Sequence, residues 1–269
     1  MSDGIPIERL LEVAKETILS AGEMLKQEYH TYFVEGKELE ISTKSSPIDF
    51  VTVVDGKTQE FVISAIAKYF PEHRFICEEE GADGLGAPDC PYEWIVDPLD
   101  GTRNFISGRK NFGSILAVQK DGELLAGAMI MPFLDELYLG AKGLGATFNG
   151  KTAKLRETKG MTDAVLCSNS IRRAIQGDDG NYYIPTPYCA SLENYGCAVQ
   201  EIGEMIQGTL DGVFFDGIRI WDIAAGFLQV QEAGGKIRYE WKEPGNVRSG
   251  LLCVASTEPI FEELCHYTF

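Results

Sequence analysis

Basic residues are scarce in this chain: 24 lysines and arginines stand against 41 aspartates and glutamates, a net charge of -17. Most of the surface therefore repels nucleic acid and anionic lipid, which excludes polyanion or membrane-surface binding as the main task. An anionic small molecule is accepted only where bound cations invert the local field. The three histidines, His30, His73 and His266, lack the H-x-x-x-H spacing of an imidazole zinc site. The seven cysteines (Cys77, Cys90, Cys167, Cys189, Cys197, Cys253, Cys265) contain no C-x-x-C pair and are odd in number, which argues against thiolate zinc and a disulfide framework alike. A metal bound here is expected on oxygen ligands. Apolar runs long enough to span a bilayer are missing. Met1-Ser2-Asp3-Gly4 carries neither the basic nor the apolar region of a secretory signal, so the cytoplasm is the expected location. Repeats, low-complexity tracts and dividing linkers are absent as well. A single domain is expected over 1–269, made of subdomains of about 1–150 and 151–269.

What is present is a clear periodicity. Between Ile7 and Tyr29, Leu10, Leu11, Ala14, Ile18, Ala21, Met24 and Leu25 recur every three or four positions, which predicts an amphipathic helix. A second helix is expected from Asp55 to Tyr69, ended by Pro71, with Asp55 near its N-terminus. Strands are expected at Phe75–Cys77, Glu93–Asp97, Ser114–Gln119, Leu124–Met131 and Glu136–Leu139, with Asp121-Gly122 as a hairpin turn. Beyond Gly150, strands at Val165–Ser168, Val213–Phe215, Lys236–Arg238 and Leu251–Ala255 alternate with helices at Ser191–Gln207, Trp221–Ala233 and Thr257–Cys265. The stretches Gly81–Asp89 and Gly177–Asn181 read as loops. The class is α/β.

Chemistry concentrates at the ends of apolar runs. After Trp94-Ile95-Val96 comes Asp97-Pro98-Leu99-Asp100-Gly101-Thr102, where Pro98 fixes its φ and lacks an N–H, so a turn there brings both acids to one point. Gly101 then allows close backbone approach to a ligand. Alone, such a hexapeptide fits a surface turn equally well. Glu78-Glu79-Glu80 follows Phe75-Ile76-Cys77, either as carboxylates at another strand end or as a solvated acidic loop. Asp222 opens an apolar helix, where aspartate is also an ordinary first-turn residue. Together, Glu78, Asp97, Asp100 and Asp222 offer hard oxygen ligands suited to Mg²⁺, which keeps waters and accepts phosphate oxygens.

The run Trp94-Ile95-Val96-Asp97-Pro98-Leu99-Asp100-Gly101-Thr102 resembles the first signature of the inositol monophosphatase family, a magnesium-dependent, lithium-sensitive phosphatase group. Trp221-Asp222-Ile223-Ala224-Ala225-Gly226 resembles its second. The stretch from Lys44 to Asp55 is similar to the segment before the family's second helix, Glu78-Glu79 to its diacid, and Gly143-Leu144-Gly145-Ala146-Thr147-Phe148-Asn149-Gly150 to its hairpin. The similarity covers nearly the whole chain, strongest over Lys44–Gly150 and Asp211–Gly235 and weakest over Lys151–Tyr188. It implies a layered αβαβα sandwich of the type shared with fructose-1,6-bisphosphatase, a homodimer, and Mg²⁺-dependent hydrolysis of a small phosphorylated metabolite.

Carried over by position, the resemblance implies that Glu78, Asp97 and the Leu99 carbonyl bind one Mg²⁺ and that Asp97, Asp100 and Asp222 bind a second. Glu79 with Glu78 borders a weaker third. Glu78 and the Thr102 hydroxyl hold the attacking water, and Asp55 orients Thr102. Substrate contacts fall to Asp100, Gly101, Thr102 and Asp222, and to Gly196, Cys197 and Ala198, whose small side chains equally fit close helix packing. Outside the resemblance, Arg219, three residues before Asp222, either reaches a second phosphate or a carboxylate of the substrate or is a solvated arginine. Inositol monophosphate is the first substrate implied; fructose 1,6-bisphosphate, histidinol phosphate and 3'-phosphoadenosine-5'-phosphate are its rivals within the family. Phe215 stands where inositol-specific members carry a hydroxyl-binding glutamate, and the adjacent Asp216 points to the opposite face of a strand. An alternative of another class is a non-catalytic protein that binds metal and regulates a partner.

Overall fold

The apolar stripe near the N-terminus forms one helix, α1 (Ile7–Phe33), in the computed structural model of the chain, which describes residues 4–43, 50–82, 84–169, 175–176, 178–179, 182–183 and 187–269. It buries Leu10, Val13, Ala14, Ile18, Ala21 and Leu25, and runs past the expected end because Tyr29 and Tyr32 also pack inward. Two short strands, β1 (Ile41–Thr43) and β2 (Phe50–Thr52), pair antiparallel, and residues 44–49 of the resemblance lie outside the described residues. Helix α2 (Val53–Ala67) starts two residues before the expected position. Thr52 causes the shift: its Oγ1 accepts the Val54 N–H at 3.1 Å while the Asp55 carboxylate accepts the Thr52 N–H at 2.8 Å, a reciprocal cap.

A seven-stranded sheet follows in the order β3 (Arg74–Cys77), β4 (Tyr92–Asp100), β5 (Gly113–Lys120), β6 (Glu123–Met131), β7 (Glu136–Ala141), β8 (Gly145–Phe148) and β9 (Lys151–Thr152). The β3–β4 pair is parallel and the rest antiparallel. Asp121 and Gly122 close β5 onto β6 with φ of 50° and 82°, the left-handed pair that a two-residue hairpin requires. A short helix, α3 (Thr102–Ile106), leaves the end of β4.

The rest of the chain contributes β10 (Val165–Ser168), a small ladder of β11 (Ile175–Gln176) with β12 (Tyr182–Tyr183), then β13 (Ser191–Glu193), α4 (Ala198–Gln207), β14 (Gly212–Ile218), α5 (Ile220–Glu232), β15 (Lys236–Trp241), β16 (Leu251–Ser256) and α6 (Phe261–Thr268). A five-stranded sheet takes the order β13-β10-β14-β16-β15. Two expected helices differ. The one expected over Ser191–Gln207 is split, because β13 pairs with β10 and Gly196, at φ 67°, breaks the chain before α4. The one expected from Thr257 begins as a short 3₁₀ turn carrying Pro259, and α6 starts only at Phe261. Apart from residues 178–179, the loop expected at Gly177–Asn181 lies outside the described residues.

Packing orders these elements into five layers. Helices α1 and α2 cover one face of the seven-stranded sheet, α4 and α5 fill the space between the two sheets, and α6 covers the far face of the second. Side-chain alternation explains the division: along β4, Trp94 and Val96 point to the outer helices, and Ile95 points to the central core with Ile202, Ala224 and Phe227. The fold is the αβαβα sandwich that the resemblance implied. His73 is a core residue of it, stacked between Phe70 and Tyr92, its Nδ1 accepting the Trp94 indole N–H at 2.9 Å. Burial lowers its pKa to about 4, which keeps the ring neutral. No helix among the described residues is long and apolar enough to cross a membrane.

Candidate active site

Strand β4 does not turn at Pro98, as the sequence suggests, but runs on to Asp100 through a bulge. Asp97 pairs with Ile115 and Asp100 with Gly113, so β4 takes three steps where β5 takes two. Residues three apart on a regular strand face opposite sides; the extra residue puts Asp97 and Asp100 on the side turned to the central helices. Pro98 fits there because the bulge asks for no ladder N–H. Leu99 packs into an aromatic cluster with Tyr29, Phe105 and Phe112. The Leu99 N–H donates to Asp97 Oδ1 at 3.1 Å, and Ser114 Oγ donates to the Asp97 carbonyl at 3.0 Å.

Beyond Asp100, Gly101 adopts φ 82°, and a Cβ there would lie 3.2 Å from the Asn111 carbonyl and from Cys197 Cβ. This close approach starts α3 at Thr102, whose hydroxyl lies 3.2 Å from Asp55 Oδ1 and 3.0 Å from the Leu99 carbonyl. Asp55 is fully buried, and its Oδ2 accepts from both the N–H and the hydroxyl of Thr52, at 2.8 and 2.6 Å. One helical turn on, Gln59 clamps the end of β3. Its Oε1 accepts the Glu79 N–H at 3.0 Å and its Nε2 donates to the Glu79 and Glu80 carbonyls at 3.1 and 3.2 Å. Glu78 leaves β3 with its N–H on the Val96 carbonyl at 3.1 Å.

The carboxyl groups of Glu78 and Asp222 both come within hydrogen-bonding reach of Asp97. Asp222 lies in the first turn of α5, its Oδ2 accepting the Arg219 N–H at 2.8 Å. Burial, then repulsion from Glu78, Asp100 and Asp222, holds Asp97 well above the usual carboxylate range. Burial, then Glu78 and Asp100, pushes Asp222 up to about 8 against the opposing Arg219 N–H. Asp100 is raised by burial and pulled back by the Cys197 thiol at 3.0 Å and the Val199 N–H at 2.6 Å, both on Oδ2. Four acids, from the end of β3, from β4 and from α5, thus lie close enough to act on one another, with oxygen as their only donor atom. Among the described residues, no three Asp, Glu, His or Cys side chains converge as a ready-made cage for one ion; the acids meet as contacting pairs. Crowded carboxylates that raise each other's proton affinity suit a hard divalent cation, which removes the repulsion that a proton otherwise relieves.

The remaining expected residues divide. Cys197 touches Asp100, and the Ala198 amide also turns to it. Gly196 takes its place through its backbone: its N–H and that of Tyr195 both donate to Glu201 Oε1 at 3.0 Å. Asn104 Nδ2 grips the same turn from α3, donating to the Tyr195 carbonyl at 3.0 Å. Glu79 is held through its backbone, its N–H and carbonyl both on the Gln59 amide. Arg219 Nη1 donates to the Arg248 carbonyl at 2.6 Å, which turns its guanidinium onto the segment between β15 and β16. Phe215 is buried in the central core, and Asp216 pairs with Lys242 beside a bulge at Gly217.

Sequence reasoning missed Thr52, Gln59, Asn104, Val199 and Glu201. Two of these had a signal: Thr52-x-x-Asp55 is a capping pattern, and Gln59 stands one helical turn after Asp55 on the same face. Asn104 and Glu201 bind loop backbone, and Val199 acts through its own N–H in the first turn of α4; none of these three carries a signal.

Residues 7–268 match the model of the inositol monophosphatase family. A protein of Aquifex aeolicus (strain VF5) named fructose-1,6-bisphosphatase/inositol-1-monophosphatase is 34% identical over 232 residues, 85% of each chain. The inositol-1-monophosphatase of Bacillus subtilis (strain 168) is 32% identical over 267 residues, 95% of this chain and 96% of that one. Among solved structures, the extragenic suppressor protein suhB of Bartonella henselae has a TM-score of 0.80 at 26% identity, covering 97% of this chain and 98% of its own.

Proposed function

Since the chain belongs to the inositol monophosphatase family, we propose that it is a Mg²⁺-dependent phosphoric monoester hydrolase acting on a small phosphorylated metabolite, with inositol monophosphate the first substrate to test. The observation that carries this reading is the cluster of Glu78, Asp97, Asp100 and Asp222 beside the Thr102–Asp55 contact. Glu78, Asp97 and the Leu99 carbonyl would hold one ion, Asp97, Asp100 and Asp222 a second, and Glu79 with Glu78 a weaker third. Holding an ion in either set would require the paired carboxyl groups to rotate about their own side-chain bonds. Divalent ions, when bound, supply the positive charge that stabilises the phosphoryl oxygens and the entering and leaving oxygens of an in-line displacement.

The chain's own groups orient and deprotonate the water. Thr102 has one hydroxyl proton for two acceptors, Asp55 and the Leu99 carbonyl. With it on Asp55, held as an acceptor by Thr52, the Thr102 lone pairs face outward and accept one proton of the water. Glu78 takes the other as the oxygen attacks phosphorus. The Gly101 and Thr102 amides face the phosphate. Gly196, Cys197 and Ala198 border the alcohol side; as the new O–P bond forms, the P–O bond to the alcohol breaks, and the leaving oxygen takes a proton from a water held near Asp222. Arg219 would meet a second anionic group of the substrate only by leaving the Arg248 carbonyl. The same reading has the protein act in the cytoplasm as a homodimer, each chain one unit of two subdomains.

Fructose 1,6-bisphosphate ranks second because the Aquifex relative bears both names and Phe215 provides no hydroxyl acceptor. Histidinol phosphate and 3'-phosphoadenosine-5'-phosphate complete the test panel. The purified protein is expected to release phosphate from at least one of these with Mg²⁺ and from none with EDTA. Tight Mg²⁺ binding without phosphate release from any of them would instead make the chain a non-catalytic regulator.

A further inference from the structure

We propose that Glu201 is a positioning residue of this site: its carboxylate holds the Tyr195–Gly196 turn in the setting from which Cys197 and Val199 grip Asp100. The inference rests on the reading of Asp100 as a cation ligand given above. Glu201 is buried in the first turn of α4, where its Oε1 accepts two consecutive N–H groups at 3.0 Å each. Those amides cannot be satisfied by the helix, because Gly196 at φ 67° lies before it. Asn104 pins the opposite side of the turn through the Tyr195 carbonyl, so the segment is held between α3 and α4. The next residues then place the Cys197 thiol and the Val199 N–H on the same oxygen of Asp100, leaving Oδ1 clear of both.

Contact thus passes from Glu201 through the turn to Asp100 without Glu201 touching a reacting atom. The Cys167 thiol of β10 lies against the same carboxyl group and its Sγ also donates to the Glu193 carbonyl at 3.2 Å, closing the far side of the turn. What the geometry asks of residue 201 is an acceptor oxygen at the full reach of a glutamate side chain. Glutamine meets that demand without charge; aspartate keeps the charge and falls one methylene short.

The test is a calorimetric titration with Mg²⁺, without substrate, of the wild-type protein, Glu201→Gln and Glu201→Asp, together with their melting temperatures in EDTA. Glu201→Gln is expected to bind Mg²⁺ much as the wild type does, and Glu201→Asp to bind it on the order of tenfold more weakly. The reverse order would mean that charge and not reach matters, and equal affinities with lowered melting temperatures would mean a structural role alone; either overturns the proposal. If Glu201→Asp does not fold, Asn104→Ala releases the same turn from its other side, and unchanged Mg²⁺ affinity there overturns it too. A wild-type protein that neither binds Mg²⁺ nor releases phosphate sinks the proposed function itself, and this inference with it.

Discussion

Asp97→Asn is expected to lower kcat/KM by at least about 10³-fold, worth roughly 4 kcal/mol, and to remove measurable Mg²⁺ binding. Asp97 comes within hydrogen-bonding reach of both Glu78 and Asp222, and both proposed ion positions draw on it. A second signature separates this loss from simple unfolding. Burial and mutual repulsion raise the Asp97 and Asp222 carboxyls above their ordinary value of 3.8, Asp222 to about 8. Groups raised in this way retain protons in the folded chain that the unfolded chain has already released. Their stabilising contribution is therefore full below 3.8 and is lost as pH rises through the folded values. In EDTA the melting temperature is expected to fall between about pH 5 and pH 8, with Mg²⁺ reversing the trend and Asp97→Asn flattening it. A flat profile for the wild type would show that neither burial nor repulsion raises these acids in the folded chain.

Thr102→Ala is expected to slow turnover by about 10²-fold or more while leaving the Mg²⁺ affinity near that of the wild type. In the proposed function the hydroxyl serves the water; it contacts Asp55, and the cluster keeps all four carboxylates without it. Asp55→Asn should slow turnover in the same direction and also cost stability, because Asp55 caps α2 through Thr52. Titration calorimetry beside steady-state kinetics separates the two effects. A fall in Mg²⁺ affinity for Thr102→Ala as large as that for Asp97→Asn would contradict the division of roles.

The acids were legible in the sequence because each stands where an apolar run stops: Glu78 after Ile76-Cys77, Asp97 after Ile95-Val96, Asp222 at the head of an apolar helix. Their convergence was readable only through the resemblance, since no spacing along one segment reports which strand end meets which helix. The turn expected at Pro98 became a bulge because its geometry depends on a residue count on β5, which lies in a different part of the chain. Similarly, the helix expected over Ser191–Gln207 ignored the pull of the Glu201 carboxylate on two amides five and six residues upstream of it, beyond the reach of the usual capping box. Helix α3 is shorter than two turns, too brief for a period to show.

The bulge in β4 also sets what variation this corner tolerates. Between Asp97 and Asp100 the chain keeps an odd step against its neighbour, and it is the tally of residues, more than the identity of Pro98, that aims both acids inward. A lineage is free to exchange side chains in that gap and remain armed; lengthening or shortening it by one turns an acid away and leaves a better-formed sheet with no chemistry.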